Sequence, residues 1–210
     1  MDQPERLSLP DASKTQDIIA EMSNAFSLSE ERGQRATQTF SDTFDWRLYH
    51  EGLCLVRQKG EYVLWSLSED QATCSQPWTS RSRPRFWWDF DDGPVRERVS
   101  AVSGVRAFIP LVTLERRRRT LAVLNRDEKT VARLHFDSPI LRDGQRRSTL
   151  PGTVTVHPIR GYRAHPREAV RFLAGLGLES GTGGVLEAAL HASGRFPGDY
   201  SPKFDLGLDP

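Results

Sequence analysis

A chain of 210 residues with 29 basic and 28 acidic side chains carries a formal charge of +1, which argues against a globally basic nucleic-acid binder. Its mean hydropathy is −0.54, and no stretch approaches the ~18 apolar residues of a membrane-spanning helix, so a helical membrane protein is not expected. The opening MDQPERLSLP lacks a basic-then-apolar signal, which makes the cytoplasm the expected compartment.

In chain order, Arg6–Leu9 reads as a short strand stopped by Pro10. Asp11–Phe26 reads as a helix capped by Asp11 or Ser13, with Ile18, Ile19, Met22 and Phe26 on one face. Ser27–Ala36 is polar and reads as a loop, and Thr39–Ser41 is extended in type. Asp45 suits the cap of a short helix, Trp46–Glu51, and Gly52 suits the positive φ that ends it. Leu53–Gln58 and Glu61–Leu67 form a hairpin over Lys59-Gly60. Residues 68–85 read as a connection. The aromatic group Phe86–Phe90 reads as core, and Pro94 opens a helix that Gly104 ends.

Val105–Ile109 is a strand, and Thr113–Leu124 and Thr130–Asp137 form a hairpin over Asn125–Glu128. Leu141–Thr149 reads as a basic loop, Gly152–Ile159 as a strand, and Pro166–Leu176 and Gly184–Ala192 as helices. This order is not an alternating β-α-β one. It predicts an α+β fold, an antiparallel sheet or barrel with helices outside.

The composition of the bases is more telling than their balance. Four are lysine (Lys14, Lys59, Lys129, Lys203) and 25 are arginine, whose planar fork suits phosphate. In a strand, Arg116 and Arg118 face one way and Arg117 and Arg119 the other, so one pair points toward whatever the sheet encloses. The next strand has an apolar set, Thr130, Ala132, Leu134 and Phe136, and a polar set, Val131, Arg133, His135 and Asp137. Thr153, Thr155 and His157 repeat the polar set. A polar lumen with helices packed outside and a single-layer sheet with its polar face in solvent both satisfy this pattern. Arg81, Arg83 and Arg85, and Arg142, Arg146 and Arg147, read as solvated patches. The histidines lack metal spacing, with a His135/His157 pair across adjacent strands as the one conceivable exception. Cys54 and Cys74 lack metal spacing, and no disulfide between them is expected in a reducing compartment.

Phe40, Asp42, Thr43, Asp45, Leu48, Gly52, Leu53 and Leu55 resemble the second and third strands of the CYTH family, the triphosphate tunnel metalloenzymes. The run Asp-Thr-Phe-Asp-Trp-Arg-Leu-Tyr is similar to CYTH-like domains that precede CHAD domains. So are the segments WDFDDGPVRERVSAVSGVRAFIPL and HPIRGYRA, and Gly194, Pro197, Gly198, Asp199, Tyr200, Ser201 and Lys203 near the C-terminus. The resemblance implies an antiparallel eight-stranded β-barrel or tunnel with helices outside. It also implies one domain over residues 1–193 and a linker over 194–210 toward a CHAD domain, in cis or trans.

The resemblance is incomplete at the positions that hold metal. Where active members carry Glu-x-Glu-x-Lys on the first strand, this chain offers Asp2, Pro4 and Arg6. Where they carry Leu-Arg-x-Arg, it offers Val56 and Gln58, with Arg57 between them. The later glutamate pair is replaced by VTVHPIRGYR, while Arg116, Arg118 and Asp137 still match. Divalent metals need hard oxygen ligands. The expectation is therefore a non-catalytic module that binds polyphosphate or a similar polyanion or positions a CHAD partner, with no cofactor, no membrane and no specific nucleic acid. The expected phosphate-binding residues are Arg57, Arg116, Arg118, Arg133 and Arg160. The alternative is a Mg- or Mn-dependent triphosphatase with ligands among Asp42, Asp45, Glu61, Asp89, Asp91 and Asp137.

Overall fold

A computed structural model describes residues 4–9, 11–68, 71–181 and 184–198. Asp2, Pro10 and the junction residues Asp199, Tyr200, Ser201 and Lys203 lie outside them. Among the described residues there are ten strands: β1 (Glu5–Leu9), β2 (Ser27–Thr43), β3 (Leu53–Gln58), β4 (Glu61–Ser66), β5 (Gln71–Pro77), β6 (Phe108–Leu124), β7 (Thr130–Asp143), β8 (Arg146–Thr149), β9 (Gly152–Pro158) and β10 (Glu179–Ser180). The α-helices are α1 (Thr15–Ala25), α2 (Arg47–His50), α3 (Pro94–Ser103), α4 (Ala164–Gly175) and α5 (Val185–Ala192). The strands hydrogen-bond in the order β10-β1-β9-β7-β6-β2-β3-β4-β5, with β8 on β7. The α+β class with a large antiparallel sheet is as expected. The eight-stranded closed barrel is not: the described strands number ten, and their order has two ends, β10 and β5.

The chain divides into two compact units, residues 1–37 with 114–189, and residues 38–113 with 190–210. In the first unit, Leu7, Leu9, Leu121, Val123, Ala132, Leu134, Phe136, Val154 and Val156 form the apolar side of the sheet. Helix α1 lays Ile18, Ile19 and Met22 on it, and α4 adds Ala169 and Leu173. Met22 and Leu173 are fully buried, and each such side chain contributes about 2 kcal/mol of transfer free energy. Phe26, just past the end of α1, meets Phe172 of α4 edge-on at 5.4 Å.

In the second unit, Leu55, Tyr62 and Leu64 pack with Leu48, Phe90, Val95, Val99 and Phe108. The aromatic group divides: Phe90 is buried here, whereas Phe86 and Trp88 stack on each other at 4.6 Å with Trp88 exposed. Cys54 and Cys74 are free thiols. The cap of α2 is also reassigned. Asp42, not Asp45, accepts from the Leu48 and Tyr49 N–H groups at 2.9 Å each, and Thr43 Oγ1 accepts from Arg47 N at 3.0 Å. Asp45 instead holds Arg47 and Arg106 at 2.9 and 3.1 Å.

Three stretches expected as loops are strands: the first half of β2, all of β5, and the β7–β8 hairpin. Each is mostly polar, with too few apolar residues to show a period-2 alternation. Ion pairs supply what burial does not: Glu30 of β2 holds Arg119 at 2.9 Å, and Glu31 holds Arg133 at 2.8 Å. Val105 falls before β6, which runs unbroken through the exposed Pro110 and joins two expected strands.

Candidate functional site

The register of the first unit assembles the polar face. On β1 and β9, Arg6 pairs with Thr155 and Ser8 with Thr153. On β7 and β9, Arg133 pairs with His157, His135 with Thr155 and Asp137 with Thr153. Residues directly opposite in a ladder share a face, so these side chains stand together opposite the apolar core.

Asp137 is the hub. Arg118 reaches it as a fork, Nε to Oδ1 at 3.0 Å and Nη2 to Oδ2 at 3.0 Å, and Arg116 Nη2 lies 3.5 Å from Oδ1. Only 7% of the Asp137 side chain and 14% of Arg116 are exposed. Two guanidinium groups thus share one largely buried carboxylate, Arg116 buried with it and Arg118 37% exposed. Burial pushes the Arg116 pKa down, Asp137 opposes that shift, and Arg118 adds to it. Arg6 is lowered by burial first and then by Arg116. In both, burial and a neighbouring guanidinium disfavour the charged form.

A cavity of about 220 Å³ opens on this group, lined by Arg6, Ser8, Arg116, Asp137, Thr153 and, from α5, Glu187. Gly152 makes the wall fit: a Cβ there would lie 2.5 Å from the Asp137 carbonyl oxygen.

His135 and His157 lie beside this cluster with ring centroids 4.2 Å apart and planes tilted by 47°. Burial, then His157, then Arg118 lower the His135 pKa to about 4, against the pull of Asp137 and Glu31. His157 is lowered by burial, then by Arg118. A histidine depressed in the folded state binds its proton first in the unfolded state, so its contribution is present above the ordinary histidine range and is lost as pH falls toward 4. The melting temperature is expected to drop between pH 7 and 4.5. His135→Gln should flatten that drop in a thermal scan, and an unchanged pH profile would refute the assignment.

The expected site residues part company. Arg116 and Arg118 converge on Asp137, and Arg133 stands on the same face, paired with Glu31. Arg57 lies on β3 in the second unit, opposite Tyr62, whose pKa burial raises and Arg57 opposes. Arg160 is exposed in the turn after β9. Of the alternative metal ligands, Asp42 caps α2, Asp45 holds two arginines, and Glu61 Oε1 accepts from Gln58 at 3.4 Å. Asp89 accepts from Arg85 N and Phe86 N, and Asp91 lies exposed by Phe90. Among the described residues no group of three or more His, Cys, Asp and Glu side chains could hold a metal ion. Of the carboxylates near the cavity, Asp137 and Glu31 both accept from arginine, and Glu187 of α5 lines the wall. Sequence reasoning had named Arg6 only as a departure from the family lysine, and it missed Glu31 and Glu187. Arg6 was recoverable from period 2 once β1 was set against β9.

No family profile and no curated protein sequence matches the chain. In structure it is similar to HpAC1 from Hippeastrum, a protein assigned as an adenylyl cyclase and described with a dominant triphosphatase activity. The TM-score is 0.56 at 16% identity, over 92% of this chain and 96% of that one. The PH1819 protein from Pyrococcus horikoshii OT3 superposes over 90% of this chain and 99% of its own, at TM-score 0.42 and 10% identity. From the first of these likenesses, the chain has a CYTH-like fold.

Proposed function

We propose that this chain is a non-catalytic CYTH-like module that binds a phosphate-rich anion, inorganic polyphosphate or triphosphate, without a metal. The observation that carries the reading is the sharing of Asp137 by Arg116 and Arg118 at a cavity that Arg6 also lines. An anion entering there meets Arg6 and Arg116, with Arg118 on the same Asp137 carboxylate, against Asp137 and Glu187 as the acidic groups of the lining. Arg133 extends the same face. Positioning a CHAD partner, in cis or trans, is the second role; it rests on the resemblance near the C-terminus, beginning at Gly194 and Pro197.

The expected result is tripolyphosphate binding in EDTA, measured by calorimetry, that weakens about tenfold or more between about 50 and 200 mM salt. No phosphate should be released with magnesium or manganese. Absence of binding at low salt would sink the anion reading. The triphosphatase activity described for HpAC1 makes a Mg- or Mn-dependent triphosphatase the alternative. Metal-dependent turnover that disappears in Asp137→Ala would establish it.

A further inference from the structure

The strand that carries Arg116 and Arg118 carries a second cluster on its other face. Glu115 and Arg117 alternate with them and so point away from the cavity side. Glu115 Oε1 accepts from Arg117 Nε and Nη2 at 3.2 and 3.1 Å, and its Oε2 accepts from Arg147 Nη2 and lies 3.5 Å from Arg142 Nε. One carboxylate, 15% exposed, therefore organises three guanidinium groups that are 43 to 49% exposed.

Arg142 and Arg147 are direct cross-strand partners in the β7–β8 hairpin. Like charges placed opposite each other in an antiparallel pair cost stability, and Glu115 offsets only part of that repulsion. The hairpin is built to hold them so. Asp143 pairs with Arg146 across a two-residue turn, and Gly144 supplies the positive φ of 57°. All four β8 residues are exposed, so no core burial explains the strand.

We propose that Arg117, Arg142 and Arg147 form a separate docking site for a linear polyphosphate chain. Three half-exposed forks around one shared carboxylate keep N–H donors beyond those that Glu115 takes, and their charge exceeds that of the carboxylate. Among the described residues none of the three lies over an aromatic ring; the arginines that do are Arg85, Arg96 and Arg106. Single-stranded nucleic acids are gripped by stacking bases on rings as well as by charge, so this face suits a chain without bases.

The test compares wild type with Arg142→Gln/Arg147→Gln in binding long-chain polyphosphate, tripolyphosphate and oligothymidylate. Long-chain affinity is expected to fall about fivefold or more and its salt dependence to flatten, with tripolyphosphate binding unchanged. Both residues are exposed, and a circular-dichroism melt verifies the fold. Loss of long-chain binding in the double variant supports the outer site even if tripolyphosphate fails to bind at all, a result that would remove only the inner reading. Wild-type affinity for the long chain in the double variant overturns the proposal. Oligothymidylate that binds as tightly and is lost on the same substitutions also overturns it, because the face would then read any phosphate strand.

Discussion

Asp137→Asn is expected to produce a protein that folds less stably yet binds phosphate more tightly. The wild-type carboxylate holds Arg118 by a fork and stands 3.5 Å from Arg116, whose side chain is 14% exposed. Removing one partner of a largely buried ion pair leaves the other charge stranded, at a cost of about 3 kcal/mol after allowance for the partly exposed Arg118. For a chain of this size that is a fall of about 6–12 °C in melting temperature. The amide fills the carboxylate's space without its charge, so a phosphate group becomes the only anion pairing with these arginines, and tripolyphosphate should raise the melting temperature of the variant by more than that of wild type. Differential scanning fluorimetry with and without tripolyphosphate reads both effects. Equal ligand shifts in the two proteins would mean that Asp137 and the anion do not compete for Arg116 and Arg118.

Asp42→Ala is expected to cost a similar amount in the second unit, by another route. The carboxylate is 1% exposed and accepts from three backbone N–H groups, Thr43 at 2.6 Å and Leu48 and Tyr49 at 2.9 Å. Alanine offers no acceptor, and each stranded donor loses about 1 kcal/mol or more, for a total of roughly 3 kcal/mol after local relaxation. Asparagine keeps one oxygen and should recover part of the loss. Urea unfolding gives the free energies, and hydrogen exchange places them: the Leu48 and Tyr49 amides should lose protection first. If Asp42→Ala unfolds within experimental error of wild type, the cap belongs to Thr43 alone.

What the sequence disclosed follows the physics of contrast. β7 and β9 were legible because Leu134, Phe136, Val154 and Val156 alternate with Arg133, His135, Thr153 and Thr155. The first half of β2 was not, because Glu30 and Glu31 on its two faces are equally polar, and what fixes them are arginines some ninety to one hundred residues away. Asp42 and Asp45 were distinguishable only by the fold of the turn, since both are good capping residues three apart. At the site, alternation alone placed Arg116 with Arg118, and the resemblance to triphosphate tunnel enzymes added Asp137. That Arg6 lines the cavity beside them depends on the pairing of β1 with β9, a long-range register that no local pattern encodes. Arg57 shows the opposite case: its parity on β3 groups it with Leu55, which packs among Leu48, Tyr62 and Phe90.

The run Arg116–Arg119 has a bearing on how β6 finds its place. A strand that slips by one residue exchanges its two faces, and the usual penalty is a charge delivered into an apolar layer. Within this run a slip delivers arginine for arginine, so the four residues that do the most for electrostatics are nearly silent about alignment. Discrimination passes to the flanks. A slipped β6 would turn Leu121 and Val123 away from Met22 and bring Glu115 round toward Asp137, setting two carboxylates where one now stands. The glutamate and the two aliphatic residues therefore act as the strand's index marks, and the arginines are free to be chosen for charge alone.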